Sequence, residues 1–182
     1  FGLVSSVVGA NDPVVAADLD PRLLRVADVD ADGFDDLLVA SRSLDLLTVF
    51  RQTGISARTA AIPQEIDPLV FARTADLSLP AGEPGALQLA DLDGDLLPDV
   101  VVEVRRRSAP DQHAVLVASS NGLAGFVRSF ELPAIDVGWS GPDLSASVGD
   151  LNGDGQLDLA LAWSGDGGTH PSLLRALFGV HR

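Results

Sequence analysis

The sequence predicts an all-β protein, mostly antiparallel, built as one small sheet per repeat. Three observations carry that expectation. An aspartate-rich segment recurs three times without gaps, at a spacing near sixty residues. Each copy is followed by an apolar run, such as Asp36–Ala40, too short and too continuously apolar for an amphipathic helix. Clusters of Gly, Asn, Asp and Ser separate the runs, as turns separate strands.

Residues 1–19 carry two strand-like runs, Leu3–Val8 and Val14–Leu19, and no aspartate loop. The first copy of the repeat runs from Val26 to Ala40, the second from Leu89 to Val102 and the third from Val148 to Ala162. Their first aspartates, Asp28, Asp91 and Asp150, are 63 and 59 residues apart. A second apolar run follows each copy, at Leu44–Phe50, Ala114–Ala118 and Leu173–Val180. Turns are expected at Gln52-Thr53-Gly54, Ser119-Ser120-Asn121-Gly122 and Ser164-Gly165-Asp166-Gly167-Gly168. The stretch Glu65–Glu83 exceeds a normal connection and is expected to be an inserted loop or an extra strand. No repeat of this size buries its own apolar face alone.

Composition narrows the function classes. At 182 residues and 46% hydrophobic content the chain has the material for a real core, against disorder. No stretch approaches the roughly 20 apolar residues of a membrane span. The net charge is −14 and all twelve basic residues are Arg, so nucleic acid and anionic membranes are poor partners. The cluster Arg105-Arg106-Arg107 is expected at a solvated strand end or turn, with anion binding as the alternative. With no Cys, disulfides and thiolate metal sites are excluded. The lack of Met, even at position 1, is expected of a mature protein or a piece of a longer one.

Numbered from its first aspartate, each loop places side-chain oxygens at positions 1, 3, 5 and 9. These are Asp28, Asp30, Asp32 and Asp36, then Asp91, Asp93, Asp95 and Asp99, then Asp150, Asn152, Asp154 and Asp158. Carboxylates crowded within nine residues repel one another unless a cation sits between them. Ca²⁺ takes six to eight oxygens at roughly 2.3–2.6 Å in irregular geometry, whereas Mg²⁺ keeps much of its water. The backbone carbonyls of position 7, on Phe34, Leu97 and Gln156, are expected to add further oxygens. Gly33 and Gly155 at position 6 suit a sharp turn with positive φ; the second loop has Leu96 there and Pro98 at position 8. Three calcium ions are therefore expected. An EF-hand is excluded because position 12 is Val39, Val102 or Leu161 rather than Glu, with no helix to follow. The same test, with the longer repeat, argues against a dockerin-like module.

The D-x-D-x-D-G-x-x-D-L pattern before a strand, recurring near sixty residues, resembles the FG-GAP/VCBS repeats of calcium-bearing β-propellers, including those of the integrin α-subunit head. Phe1-Gly2 lies too far before Asp28 to be the motif Phe-Gly, and no Gly-Ala-Pro follows the loops, so the likeness is closer to the bacterial VCBS style. Integrin-like ligand recognition is accordingly not carried over. The resemblance implies four-stranded antiparallel blades with the metal cage between the first and second strands. On that reading residues 1–19 are the end of a preceding blade or closing strands. Residues 20–83 are blade 1, with loop 28–36 and a long connection. Residues 84–142 are blade 2, with loop 91–99, and residues 143–182 are blade 3, with loop 150–158 and its fourth strand missing. Closed propellers take about four to eight blades. About three blades are therefore expected to form part of a larger ring, completed by oligomerisation or within a longer polypeptide.

The metal is expected to be structural, and because free calcium is scarce in the cytosol the expected setting is extracellular, cell-surface or periplasmic. Catalysis is not expected: loops with this many oxygens close the metal's shell, His113, His170 and His181 are scattered in sequence, and each is expected to be solvated or capping. The serines lie in turns outside any G-x-S-x-G context. The leading expectation is a non-catalytic binding or adhesion module for a protein or glycan ligand. The alternative is a structural accessory to a secreted enzyme whose catalytic residues lie outside the chain. Trp139 and Trp163 are expected in core packing, with sugar contact as the alternative.

Overall fold

The structure, a computed structural model, describes residues 20–55, 69–108, 112–123, 125–136, 144–163 and 173–177. Among them are eleven strands and no helix, in three antiparallel sheets. Sheet 1 takes β1 (Pro21–Ala27), β2 (Asp36–Ser41), β3 (Leu46–Ile55) and β4 (Leu69–Ser78) in the order β1-β2-β3-β4. Sheet 2 takes β5 (Gly82–Ala90), β6 (Asp99–Arg106), β7 (Gln112–Ser120) and β8 (Phe126–Asp136) in the same up-and-down order. Sheet 3 joins β9 (Leu144–Gly149), β10 (Asp158–Trp163) and β11 (Leu173–Leu177) in the order β11-β10-β9. The runs Leu3–Val8 and Val14–Leu19, Trp139, His170, His181 and the expected turn at 164–168 lie outside the described residues, as does the Trp163 side chain.

Local chemistry makes the connections. Between β2 and β3 the Ser41 hydroxyl accepts the Leu44 N–H at 3.1 Å, and Asp45 turns the chain with φ +53°. After β7 the Asn121 side chain accepts the Leu123 N–H at 2.9 Å and Gly122 takes φ +69°, the expected turn. One expectation changes. Gln52-Thr53-Gly54 is not a turn: β3 runs through it, and the register shift between Gln52 and Gly54 makes it a bulge against β4. Of the two readings of Glu65–Glu83, the extra strand is the one found: Leu69–Ser78 pairs with β3 along its length.

Sheet 2 is the middle layer. Its Leu87, Val100, Val102, Val104, Leu116 and Ala118 pack against Leu38, Ala40, Leu47 and Val49 of sheet 1. Its opposite face, with Val101, Val115 and Val117, packs against Leu144, Ala146, Leu159 and Leu161 of sheet 3. Alternate side chains of a strand point to opposite faces, so a strand covered on both faces has no polar side to show. That is why Asp99–Val104 is buried at every residue and, apart from Asp99 and Glu103, is apolar. Each fully buried Leu of this core, such as Leu38 or Leu116, contributes about 2 kcal/mol of burial. Gln88 adds a polar tie by donating its side-chain amide to the Ala146 carbonyl.

The far face of sheet 1 is apolar too. Val39 and Phe50 are buried there with Leu37 and Phe71 beside them. Their neighbours Leu24 and Val26, directly across the β1–β2 pairing from Val39 and Leu37, are 53% and 54% exposed.

The three consecutive arginines lie at the end of β6 and just past it, and each has a carboxylate. Arg105 reaches Glu83 at 3.3 Å, Arg106 reaches Glu131 at 2.6 Å and Arg107 reaches Asp45 at 3.0 Å. Arg107 also donates to the Arg42 carbonyl at 3.1 Å, so it fastens sheet 2 to the first turn of sheet 1. His113 is neither solvated nor capping: it is buried, with Nδ1 2.5 Å from the buried Glu103 carboxylate. Both sit on the face of sheet 2 that carries Val101 and Val115, where a polar side chain needs a partner.

Candidate metal centre

Each aspartate loop joins the first strand of a sheet to the second, and the three adopt one conformation. The position 1 carboxylate gathers backbone N–H groups from the turn ahead of it. Asp28 accepts from Asp32 at 3.1 Å and Gly33 at 2.9 Å. Asp91 accepts from Gly94 at 2.7 Å, Asp95 at 3.1 Å and Leu96 at 3.0 Å. Asp150 accepts from Gly153 at 2.6 Å and Gly155 at 3.0 Å. The position 3 oxygens of Asp30, Asp93 and Asn152 take the N–H of position 5 at 3.3, 3.3 and 2.8 Å. The position 5 carboxylates of Asp32, Asp95 and Asp154 take the N–H of Phe34, Leu97 and Gln156 at 2.9, 2.8 and 2.9 Å. Position 7 is thus held close by its N–H.

Position 9 has a second task. Asp36, Asp99 and Asp158 begin β2, β6 and β10 and are fully buried, at 0%, 1% and 1% exposure. One oxygen of each accepts the position 2 N–H: Val29 at 3.2 Å, Leu92 at 2.9 Å and Leu151 at 2.9 Å. In the first two loops the other oxygen accepts an N–H from the third strand, Gln52 at 2.8 Å and Ser120 at 3.0 Å. The carboxylate therefore staples the loop to its sheet. Ser120 extends the staple by donating its hydroxyl to the Val29 carbonyl at 3.1 Å, which ties the second staple to the first loop.

Burial, reinforced by the neighbouring carboxylates, pushes Asp36 and Asp99 above the ordinary carboxylate range although their N–H partners pull the other way. Asp150, exposed at the head of the third loop, is held below that range by the Gly155 and Gly153 N–H groups.

Two of the loops bring three carboxylates together. Oxygens of Asp28, Asp30 and Asp36 all lie within 4.8 Å of one another, as do those of Asp91, Asp93 and Asp99. Two oxygens bound to one Ca²⁺ are at most about 5 Å apart, twice the 2.3–2.6 Å bond length, so either group could hold one metal ion. Asp32 and Asp95 fall outside these groups. The third loop forms no such trio among the described residues: position 3 is Asn152, whose amide donates to Asp154 at 3.0 Å.

Backbone conformation follows the same repeat. Position 6 has positive φ in all three loops, at Gly33 (+87°), Leu96 (+71°) and Gly155 (+86°). So does position 4, at Ala31 (+57°), Gly94 (+81°) and Gly153 (+80°). Position 6 was legible from its glycines, whereas position 4 was missed because Ala31 breaks the pattern. Leu96 keeps the loop shape at the expense of a left-handed backbone, with its side chain 87% exposed.

Arg51 is the site residue that spacing could not find. From β3 its Nε comes 2.5 Å from Asp30 Oδ2, without hydrogen-bond alignment, and an Nη donates to Asp32 Oδ2 at 2.9 Å. The repeat offers one signal. Gln52 and Ser120 serve matching carboxylates, so Arg51 corresponds to the neutral Ser119 of sheet 2.

No protein-family model matches the chain, and no curated protein matches its sequence.

Proposed function

We propose that the chain is a calcium-stabilised segment of a β-propeller that serves as a non-catalytic extracellular module for binding or adhesion. The observation that carries this reading is the threefold recurrence of one loop conformation, in which a buried position 9 aspartate anchors a ring of carboxylates at the junction of first and second strands. Calcium suits the donors: all are oxygens, and the two carboxylate trios fit the span of one such ion each. The third loop has the same hydrogen bonds with an amide oxygen at position 3, which calcium also accepts. Three ions bring six positive charges and take the net charge from −14 to −8.

The ring reading is supported by neighbouring first strands. β1 lies beside β5 and β5 beside β9, as first strands do around a propeller axis. The apolar far face of sheet 1 suits a further sheet packed on it, supplied by another copy or by a longer polypeptide. Light scattering in calcium should then give a mass above the 18.9 kDa of one chain, unless the longer polypeptide supplies the missing sheets. The ion's task is structural: binding relieves the repulsion among the carboxylates, and its free energy becomes folding free energy. The described carboxylate–histidine pair, Glu103–His113, is 3% and 5% exposed and lies at the wall of a cavity it shares with Arg22, Glu83 and Arg105. An extracellular setting follows from the calcium such sites need. Among the described residues no helix is long and apolar enough to cross a membrane.

The test is thermal unfolding of the same protein in millimolar calcium and in excess chelator. A melting temperature at least 10 °C higher in calcium is expected, because ions held at about 100 times below their free concentration stabilise by about 2.7 kcal/mol each. Identical melts would remove the structural-calcium reading. Glycan-array and protein pull-down experiments on the calcium-loaded form then address the ligand.

A further inference from the structure

We propose that Arg51 is a built-in competitor for the metal of the first loop, so that this site binds calcium more weakly than its carboxylates alone would dictate. The inference rests on the calcium reading above and adds a residue that tunes one of the three sites. The guanidinium contacts Asp30, a member of the first carboxylate trio, and Asp32, the loop's position 5. The Asp30 side chain is only 4% exposed, so little of it is left for a second cation while Arg51 is seated. The Asp32 hydrogen bond and the surrounding carboxylates hold Arg51 firmly protonated. A divalent ion entering the trio must share Asp30 with this charge or expel it.

Expulsion is open to it. The Arg51 side chain is 40% exposed and stands on β3 at the rim of the loop, so a rotamer change moves the charge into solvent. The apparent dissociation constant then rises as the reciprocal of the fraction of chains in which Arg51 is unseated. A guanidinium contacting two carboxylates is a charge-assisted pair, for which a competition of about tenfold, or about 1.4 kcal/mol, is expected. The second loop has the neutral Ser119 at the matching place, so this competition is not expected there. Without metal the same contact lowers the repulsion among Asp28, Asp30, Asp32 and Asp36, which keeps the first loop formed.

The experiment is a calcium titration of the full chain labelled with ¹⁵N-glycine, in the wild type and in Arg51→Ser and Arg51→Gln. Gly33, Gly94 and Gly153 each donate to the position 1 carboxylate of a different loop, so their amide signals report the three sites separately. In both variants the Gly33 midpoint should fall about tenfold, while those of Gly94 and Gly153 stay within twofold. Arg51→Gln keeps the stem, which separates loss of charge from loss of packing. A Gly33 midpoint that is unchanged or higher in both variants overturns the proposal while leaving calcium binding intact. If no glycine signal moves in any of the three proteins, the calcium reading itself falls.

Discussion

Position 9 and position 1 of each loop should fail in different ways when truncated, and the second loop shows why. Asp99 is 1% exposed and accepts the Leu92 N–H at 2.9 Å and the Ser120 N–H at 3.0 Å. Asp99→Ala removes both acceptors at once. Both N–H groups belong to half-buried residues and meet a buried carboxylate, and each left without a partner costs about 1–3 kcal/mol, so two cost roughly 4 kcal/mol. Relief of burying a carboxylate whose ionised form is already disfavoured returns part of this, for an expected net loss of about 3 kcal/mol. Asp91 is only half-buried, and its donors Gly94, Asp95 and Leu96 are exposed, so water replaces the carboxylate in Asp91→Ala at a cost of about 1 kcal/mol or less. The assay is urea unfolding followed by far-UV circular dichroism, in excess chelator and then in calcium. In chelator, Asp99→Ala should lose about three times as much stability as Asp91→Ala. In calcium both should lose the metal's contribution from the second loop. Equal losses for the two variants in chelator would refute the staple role of position 9.

Backbone strain at position 6 gives a second test. Leu96→Gly should stabilise the protein by about 0.5 kcal/mol, since relief of about 1 kcal/mol of left-handed backbone outweighs the added freedom of glycine in the unfolded chain, and the lost side chain was exposed. Gly33→Ala should cost about 1 kcal/mol from φ alone, because an added Cβ meets nothing within 4 Å; urea midpoints check both, and equal signs would contradict the strain. The pH dependence in chelator should be inverted for the buried carboxylates. Asp36 and Asp99 have folded values above 3.8, so their contribution is most favourable below that pH and is lost as pH rises through the raised values. Asp150, with its lowered value, contributes above pH 3.8 and loses that contribution as pH falls through the folded value. Unfolding free energies of the chelated protein between about pH 4 and pH 7 should therefore fall with rising pH, and Asp36→Asn with Asp99→Asn should flatten the slope. A slope unchanged by the double substitution would contradict it.

The all-β character and the strands that follow each loop were readable because their signal is local. β2, β6 and β10 each begin at the position 9 aspartate and carry continuous apolar residues, since little of either face is left to water. The loops were readable for the same reason: alternate aspartates over nine residues suffice to crowd the charge. What local signal leaves open or misses depends on partners far along the chain. Glu65–Glu83 reads as either a loop or an extra strand, because Leu69–Ser78 mixes Arg, Thr and Asp with apolar residues and becomes β4 by pairing with β3. Gln52-Thr53-Gly54 has turn chemistry, yet β4 lies alongside and converts the irregularity into a bulge. The staple needs an N–H from the third strand, and Arg51 reaches its loop only through the β2–β3 pairing. His113 became a core residue because Glu103, ten positions away, meets it on a covered face. The position 7 carbonyls of Phe34, Leu97 and Gln156 are expected donors on the strength of spacing, and the structure fixes their peptides by the N–H side.

Calcium coordination by the aspartate loops is tested most directly by isothermal titration of the metal-free chain with calcium. Coordination predicts heat that saturates at three ions per chain, with at least the sites of the two carboxylate trios lost in Asp36→Ala and Asp99→Ala. A flat titration through millimolar calcium would contradict it.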